Sequence, residues 1–79
     1  MEKFNEIIKQ LKEIRGLKNA FNTEYDSFMD SVLLTFYNMK AFSKLDNENS
    51  KTWKSFEFIC YMNDIKYDFK SYGIIELYY

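Results

Sequence analysis

Phe56-Glu57-Phe58-Ile59-Cys60-Tyr61-Met62-Asn63-Asp64-Ile65-Lys66-Tyr67-Asp68-Phe69-Lys70 is the stretch whose reading decides the fold. Read with a period of two, it is a hairpin. Phe56, Phe58, Cys60 and Met62 alternate with Glu57, Ile59 and Tyr61, and Ile65, Tyr67 and Phe69 alternate with Lys66, Asp68 and Lys70. A two-residue Asn63-Asp64 turn sets Met62 against Ile65, Cys60 against Tyr67 and Phe58 against Phe69, with Glu57 opposite Lys70 on the other side. Read with a period of 3.6, the same residues offer a helical stripe of Phe58, Tyr61, Met62, Ile65, Phe69 and Tyr72, capped by Ser50 or Thr52. Asp64 and Asp68 would then repel at i, i+4, and Phe56, Ile59, Cys60 and Tyr67 would fall off the stripe. Aromatic and β-branched residues dominate and alanine is absent, so the strand reading is preferred.

Working outward, Ser71-Tyr72-Gly73 turns the chain into a third strand, Ile74 to Tyr79. Upstream, Asp46 to Ser50 is polar and reads as a loop. Tyr25, Phe28, Met29, Val32, Phe36 and Met39 form a helical stripe that Leu33, Leu34, Tyr37 and Phe42 widen, and Thr23-Glu24-Tyr25-Asp26 supplies a capping box for its start. Val32 to Met39 also contains many strand formers. Residues 2 to 15 carry the clearest pattern, with Phe4, Ile7, Ile8, Leu11 and Ile14 on one stripe and Gly16 placed to end the helix. The fold expected is α+β: two N-terminal helices packed on a small antiparallel sheet from the C-terminal third. The alternative is a three-helix bundle. With 79 residues, one small domain spanning 1–79 is expected.

Composition excludes several classes of chemistry. There is no histidine to serve as a base or metal ligand, and a single cysteine allows no internal disulfide. Gly16 and Gly73 are too far apart to form a phosphate loop. Cys60 lies between Ile59 and Tyr61, without the positive surroundings that activate a thiol. Asp26 and Asp30 at i, i+4 read as a solvated helix face, and Asp46 to Ser50 lacks the central glycine and final glutamate of a calcium loop. The expectation is no enzyme activity, no cofactor and no metal. No membrane segment or signal sequence is evident, which suits a cytoplasmic protein.

Net charge is −1, which gives the whole chain no field for nucleic acid. Lys9, Lys12, Arg15 and Lys18 line one side of the first helix, yet one arginine is too few for base reading. Eight Phe, seven Tyr and one Trp are more aromatics than a core of this size encloses. The surplus points to protein binding, with Tyr37, Trp53, Ile59, Tyr61, Tyr78 and Tyr79 as the candidate contact residues. The expected C-terminal edge strand also offers backbone groups for homodimerisation or strand addition. Lysine, asparagine, isoleucine and tyrosine are frequent, as AT-rich coding in a low-GC bacterium would produce. In size and coding style alone the chain resembles phage- or mobile-element-encoded inhibitors of host defence, anti-CRISPR proteins among them. The function expected is a non-enzymatic protein-binding module of that kind. A small nucleic-acid-binding protein or a homodimeric structural protein is the alternative.

Overall fold

A computed structural model describes residues 2–79. The elements run α1 (Glu2–Lys12), β1 (Phe21–Asp26), β2 (Ser31–Phe36), α2 (Met39–Leu45), α3 (Lys51–Met62), β3 (Lys66–Ser71) and β4 (Ile74–Tyr78). The four strands form one antiparallel sheet in the order β1-β2-β4-β3. The α+β class is as expected, but the arrangement differs, because two helices lie between two hairpins.

Helix α1 follows its sequence pattern. Phe4, Ile7 and Leu11 are buried, and Ile8 and Ile14 pack partly against the same core. Burying each such side chain is worth about 1.5–3 kcal/mol. Two tighter turns close the helix, Glu13 N–H to Gln10 O and Ile14 N–H to Leu11 O, and Gly16 follows at φ 95°.

The expected second helix is instead the β1–β2 hairpin. Val32, Leu34 and Phe36 point inward while Leu33 and Thr35 point outward, so the strand formers prevail over the helical stripe. Thr23 caps nothing; it lies in β1 opposite Leu34. The turn contains neither glycine nor proline. Asp26 Oδ1 accepts from the Phe28 and Met29 amides (3.0 and 3.1 Å), and Asp30 adopts φ 51°, a conformation aspartate tolerates. Asp26 and Asp30 therefore build a turn rather than a helix face.

The deciding stretch divides between both readings. Residues 51–62 are helix α3, capped by Ser50, whose hydroxyl oxygen accepts from the Trp53 amide at 3.0 Å. Asn63-Asp64 is a helix end, not a hairpin turn. Asp64 sits at φ 57°, its N–H donates to Tyr61 O, and the Ile65 N–H reaches back to Cys60 O, the pair of bonds that closes a helix through a left-handed residue. The expected pairings of Met62, Cys60 and Phe58 across that turn do not form. β3 pairs with β4 instead, through Ser71-Tyr72-Gly73, with Gly73 at φ 91°. The C-terminal strand is central rather than an edge. β4 lies between β2 and β3, and β1 and β3 are the edges.

All three helices contribute to one core. Phe42 of α2 and Phe56 and Cys60 of α3 join Phe4, Ile7 and Leu11 of α1 over Phe21, Val32, Leu34, Phe36, Ile75 and Leu77 of the sheet. Gln10 on α1 accepts from the Asn63 side chain at 2.9 Å, joining α1 to the end of α3. The other sheet face bears Glu24, Asp26, Asp68 and Glu76 with Lys66 and Lys70. Ser31 donates to Glu76 at 3.0 Å, and Lys70 lies 3.5 Å from Glu76 and 3.4 Å from Asp68.

Candidate protein-binding surfaces

The surplus aromatics do reach the surface. Phe28, Tyr37, Phe58, Tyr61, Tyr72 and Tyr79 are exposed, together with Met29, Met39 and Met62. They fall into separate places that the local structure explains.

The β1–β2 tip is the most exposed. Phe28 is 92% exposed and Met29 62%. The Asp26 carboxylate ties down both backbone amides, and Tyr25 donates to Asp30 at 3.0 Å. That hydrogen bond, with burial and the Asp30 and Asp26 charges behind it, raises the Tyr25 pKa. The tip is thus an apolar pair between two carboxylates on an internally bonded turn. Sequence reading missed both residues by placing them on a helix stripe. The available signal was two aspartates flanking a short segment between runs of strand formers.

The outer side of α3 carries Phe58, Tyr61 and Met62, at the i, i+3, i+4 spacing that aligns residues on one helix face. Phe58 and Met62 were expected inward. In a helix, Phe56 and Cys60 take the inward positions instead.

The six predicted contact residues are not one patch. Tyr61 is 78% exposed and lines a shallow depression of about 410 Å³ with the half-buried Tyr78. Ile59 does not share an outward face with Tyr61. It is half-buried against the core and lines a different groove. Trp53 is half-buried against the core, with ring centroids 5.2 Å from Tyr67, 5.8 Å from Phe56 and 5.9 Å from Phe69. Tyr37 is exposed just beyond β2, where its amide donates to Ala20 O at 3.0 Å. Tyr79 stands over Phe4 at 5.2 Å, with the Lys3 ammonium 5.1 Å from its ring. Burial and the Asp30 charge raise its pKa.

Cys60 is 1% exposed, and burial, with the Glu57 charge, pushes its thiol up to about 12. The neighbouring Tyr67 hydroxyl lies 3.4 Å from Glu57, and burial first and the Glu57 charge second raise its pKa too. Burial and the raised pKa together lower its thiolate fraction and its access to reagents at neutral pH. Among the described residues no three Cys, Asp or Glu side chains gather as a metal site, and no helix is long and apolar enough to cross a membrane. Comparison with family models, curated proteins and solved structures finds no match.

Proposed function

We infer that the chain is a non-enzymatic protein-binding module. The observation that carries this reading is the β1–β2 tip, where Phe28 stands almost free of the protein beside a largely exposed Met29, on a turn already fixed by Asp26. Lone surface apolar residues are common, but two adjacent ones on a pre-ordered turn form an anchor whose ordering cost is met before binding. The protonated, buried Cys60 argues in the same direction, because it removes the best nucleophile in the sequence. Small size and AT-rich coding support the narrower reading, an inhibitor of a host defence system carried by a phage or mobile element of a low-GC bacterium.

The test is affinity capture from a lysate of such a bacterium, comparing the native chain with the double variant Phe28→Ser, Met29→Ser. Both side chains lie outside the core, so the variant should keep its circular dichroism spectrum. The native chain should retain one stoichiometric protein that the variant loses. Equal capture by both overturns the role of the tip, and capture of nothing by either overturns the reading.

A further inference from the structure

We propose that the groove between α1 and α3 takes an acidic amphipathic segment of a partner protein. This goes beyond the hairpin tip. It rests on the reading that the protein acts through a protein partner, but it concerns a different surface with different residues.

The groove has a volume of about 850 Å³. Ile14, from the turn that follows α1, and Phe58 and Ile59, from α3, supply its apolar lining. Around them stand Arg15, Lys44, Lys51 and Lys54, with Glu13 as the one carboxylate. The ion pairs found among the described residues involve Lys70 on the sheet, so none neutralises these four cations. A second depression on the other flank of α1 shares Glu13, Ile14 and Arg15 and adds Lys9, Lys12 and Lys18. The positive surface is therefore continuous around the end of α1.

This asymmetry is hidden in the net charge. The segments holding the helices and the end of α3, 2–20 and 39–64, contain nine basic and seven acidic residues. The segments holding the strands, 21–38 and 65–79, contain two basic and five acidic. The fold gathers the first group into one layer and the second into the other.

Charge complementarity calls for a negative occupant, and the lining narrows it further. Ile14, Ile59 and Phe58 match aliphatic or aromatic side chains. A nucleic-acid strand would want stacking platforms and arginine forks, and the groove offers one exposed aromatic and one arginine. A long polyanion would also approach the acidic sheet face, which a short peptide avoids. α3 has twelve residues and is about 18 Å long, enough to seat two or three turns of an amphipathic helix laid in the groove. Tyr61 and Met62, on the same helix face as Phe58, extend the apolar surface beyond it.

The probe is a fluorescein-labelled helical peptide with Leu and Phe at i, i+3, i+4 and i+7 and Glu elsewhere, read by anisotropy. Three controls accompany it: the same peptide with Lys for Glu, the same with Ser for Leu and Phe, and a single-stranded oligonucleotide. The Kd expected for the acidic peptide is on the order of 10–100 µM, weakening as salt rises. The double variant K51E/K54E should weaken it at least about tenfold. Both lysines are exposed in the first turn of α3, where glutamate suits the helix dipole, so the variant should fold. Phe58→Ser should weaken binding as well, while Phe28→Ser should leave it unchanged. The proposal is overturned if the Lys peptide or the Ser peptide binds as tightly, if K51E/K54E makes no difference, or if the oligonucleotide binds more tightly than the peptide. Failure of this test leaves capture through the tip intact, and failure of tip-dependent capture leaves peptide binding measurable.

Discussion

Cys60 is the only thiol in the chain, and its surroundings set how fast it can react. Its ordinary value is 9.0, and burial, aided by the Glu57 charge, raises it to about 12. At pH 8 an ordinary thiol is about one-tenth thiolate, and one at about 12 is on the order of one part in ten thousand. Thiolate chemistry alone should therefore slow labelling about a thousandfold on folding, and 1% exposure adds steric protection. The assay is reaction with a chromogenic disulfide at pH 8, in buffer and in denaturing guanidinium. The unfolded chain should give one fast exponential with an amplitude of one thiol. The native chain should react at least about a thousandfold more slowly, through openings that cost about 4 kcal/mol or more. A native rate within tenfold of the denatured one would refute the placement of Cys60 inside α3's buried face.

The same shift makes stability depend on pH, with a definite sign. The folded value lies above the unfolded one, so the contribution is fully present below about pH 9 and is lost as pH rises toward 12. Tyr67, Tyr25 and Tyr79 are also raised above 10.0, so their contributions fade in the same direction as pH rises past that value. The ceiling for the thiol is about 4 kcal/mol, a large part of the roughly 4–12 kcal/mol expected of 79 residues. Urea midpoints should accordingly fall steeply between about pH 9 and 12. The alkaline fall should be shallower in Cys60→Ala.

Phe56 is fully buried beside Trp53 and Tyr67, so Phe56→Ala should cost about 3–5 kcal/mol and leave much of the chain unfolded in a urea melt. Ser50→Ala removes the cap of α3 and should cost about 1 kcal/mol by the same measurement. Asp64 holds a left-handed conformation after α3, so Asp64→Gly should stabilise by about 0.5–1 kcal/mol and raise Tm. Ile59→Asp should destabilise by at least about 2 kcal/mol and Tyr61→Asp by less than about 0.5, an asymmetry the hairpin reading of residues 56–70 does not produce.

Local period was a sound guide wherever one environment governed a whole segment. α1 packs one face on the core, and its stripe announced it. Residues 66–71 and 74–78 each alternate, and both are strands. Ambiguity arose where a segment was apolar on more than one side. Ser31 to Phe36 lies at the centre of the sheet with Leu33 half-buried on the far face, so its alternation was blurred into something a helix could also satisfy. In α3 the exposed Phe58, Tyr61 and Met62 mimicked a second buried set and produced a false alternation. A helix whose outer face is aromatic resembles a strand in sequence for the same reason that it is a candidate contact surface.

The aromatic surplus was legible as a total but not as a map. Counting showed that some rings must face solvent; only the fold assigns them. It packs Trp53 against the core, leaves Tyr61 outside, and places Phe28 at the tip of a hairpin. Charge follows the same logic with a larger consequence. A net of −1 argues against any strong field, but that holds only for charges mixed in space. Here the chain passes alternately through a helical layer rich in lysine and a sheet rich in carboxylates, so the two cancel in the sum and not on the surface. Lys9, Lys12, Arg15 and Lys18 form part of a wider positive surface once α2 and α3 bring Lys44, Lys51 and Lys54 beside them. At 0.15 M salt the Debye length is about 8 Å, shorter than the molecule's smallest extent of 19 Å. A partner seated on the helices is therefore largely screened from the carboxylates behind the sheet. Each face presents its own sign, so near-neutral composition places no bar on electrostatic selection at either one.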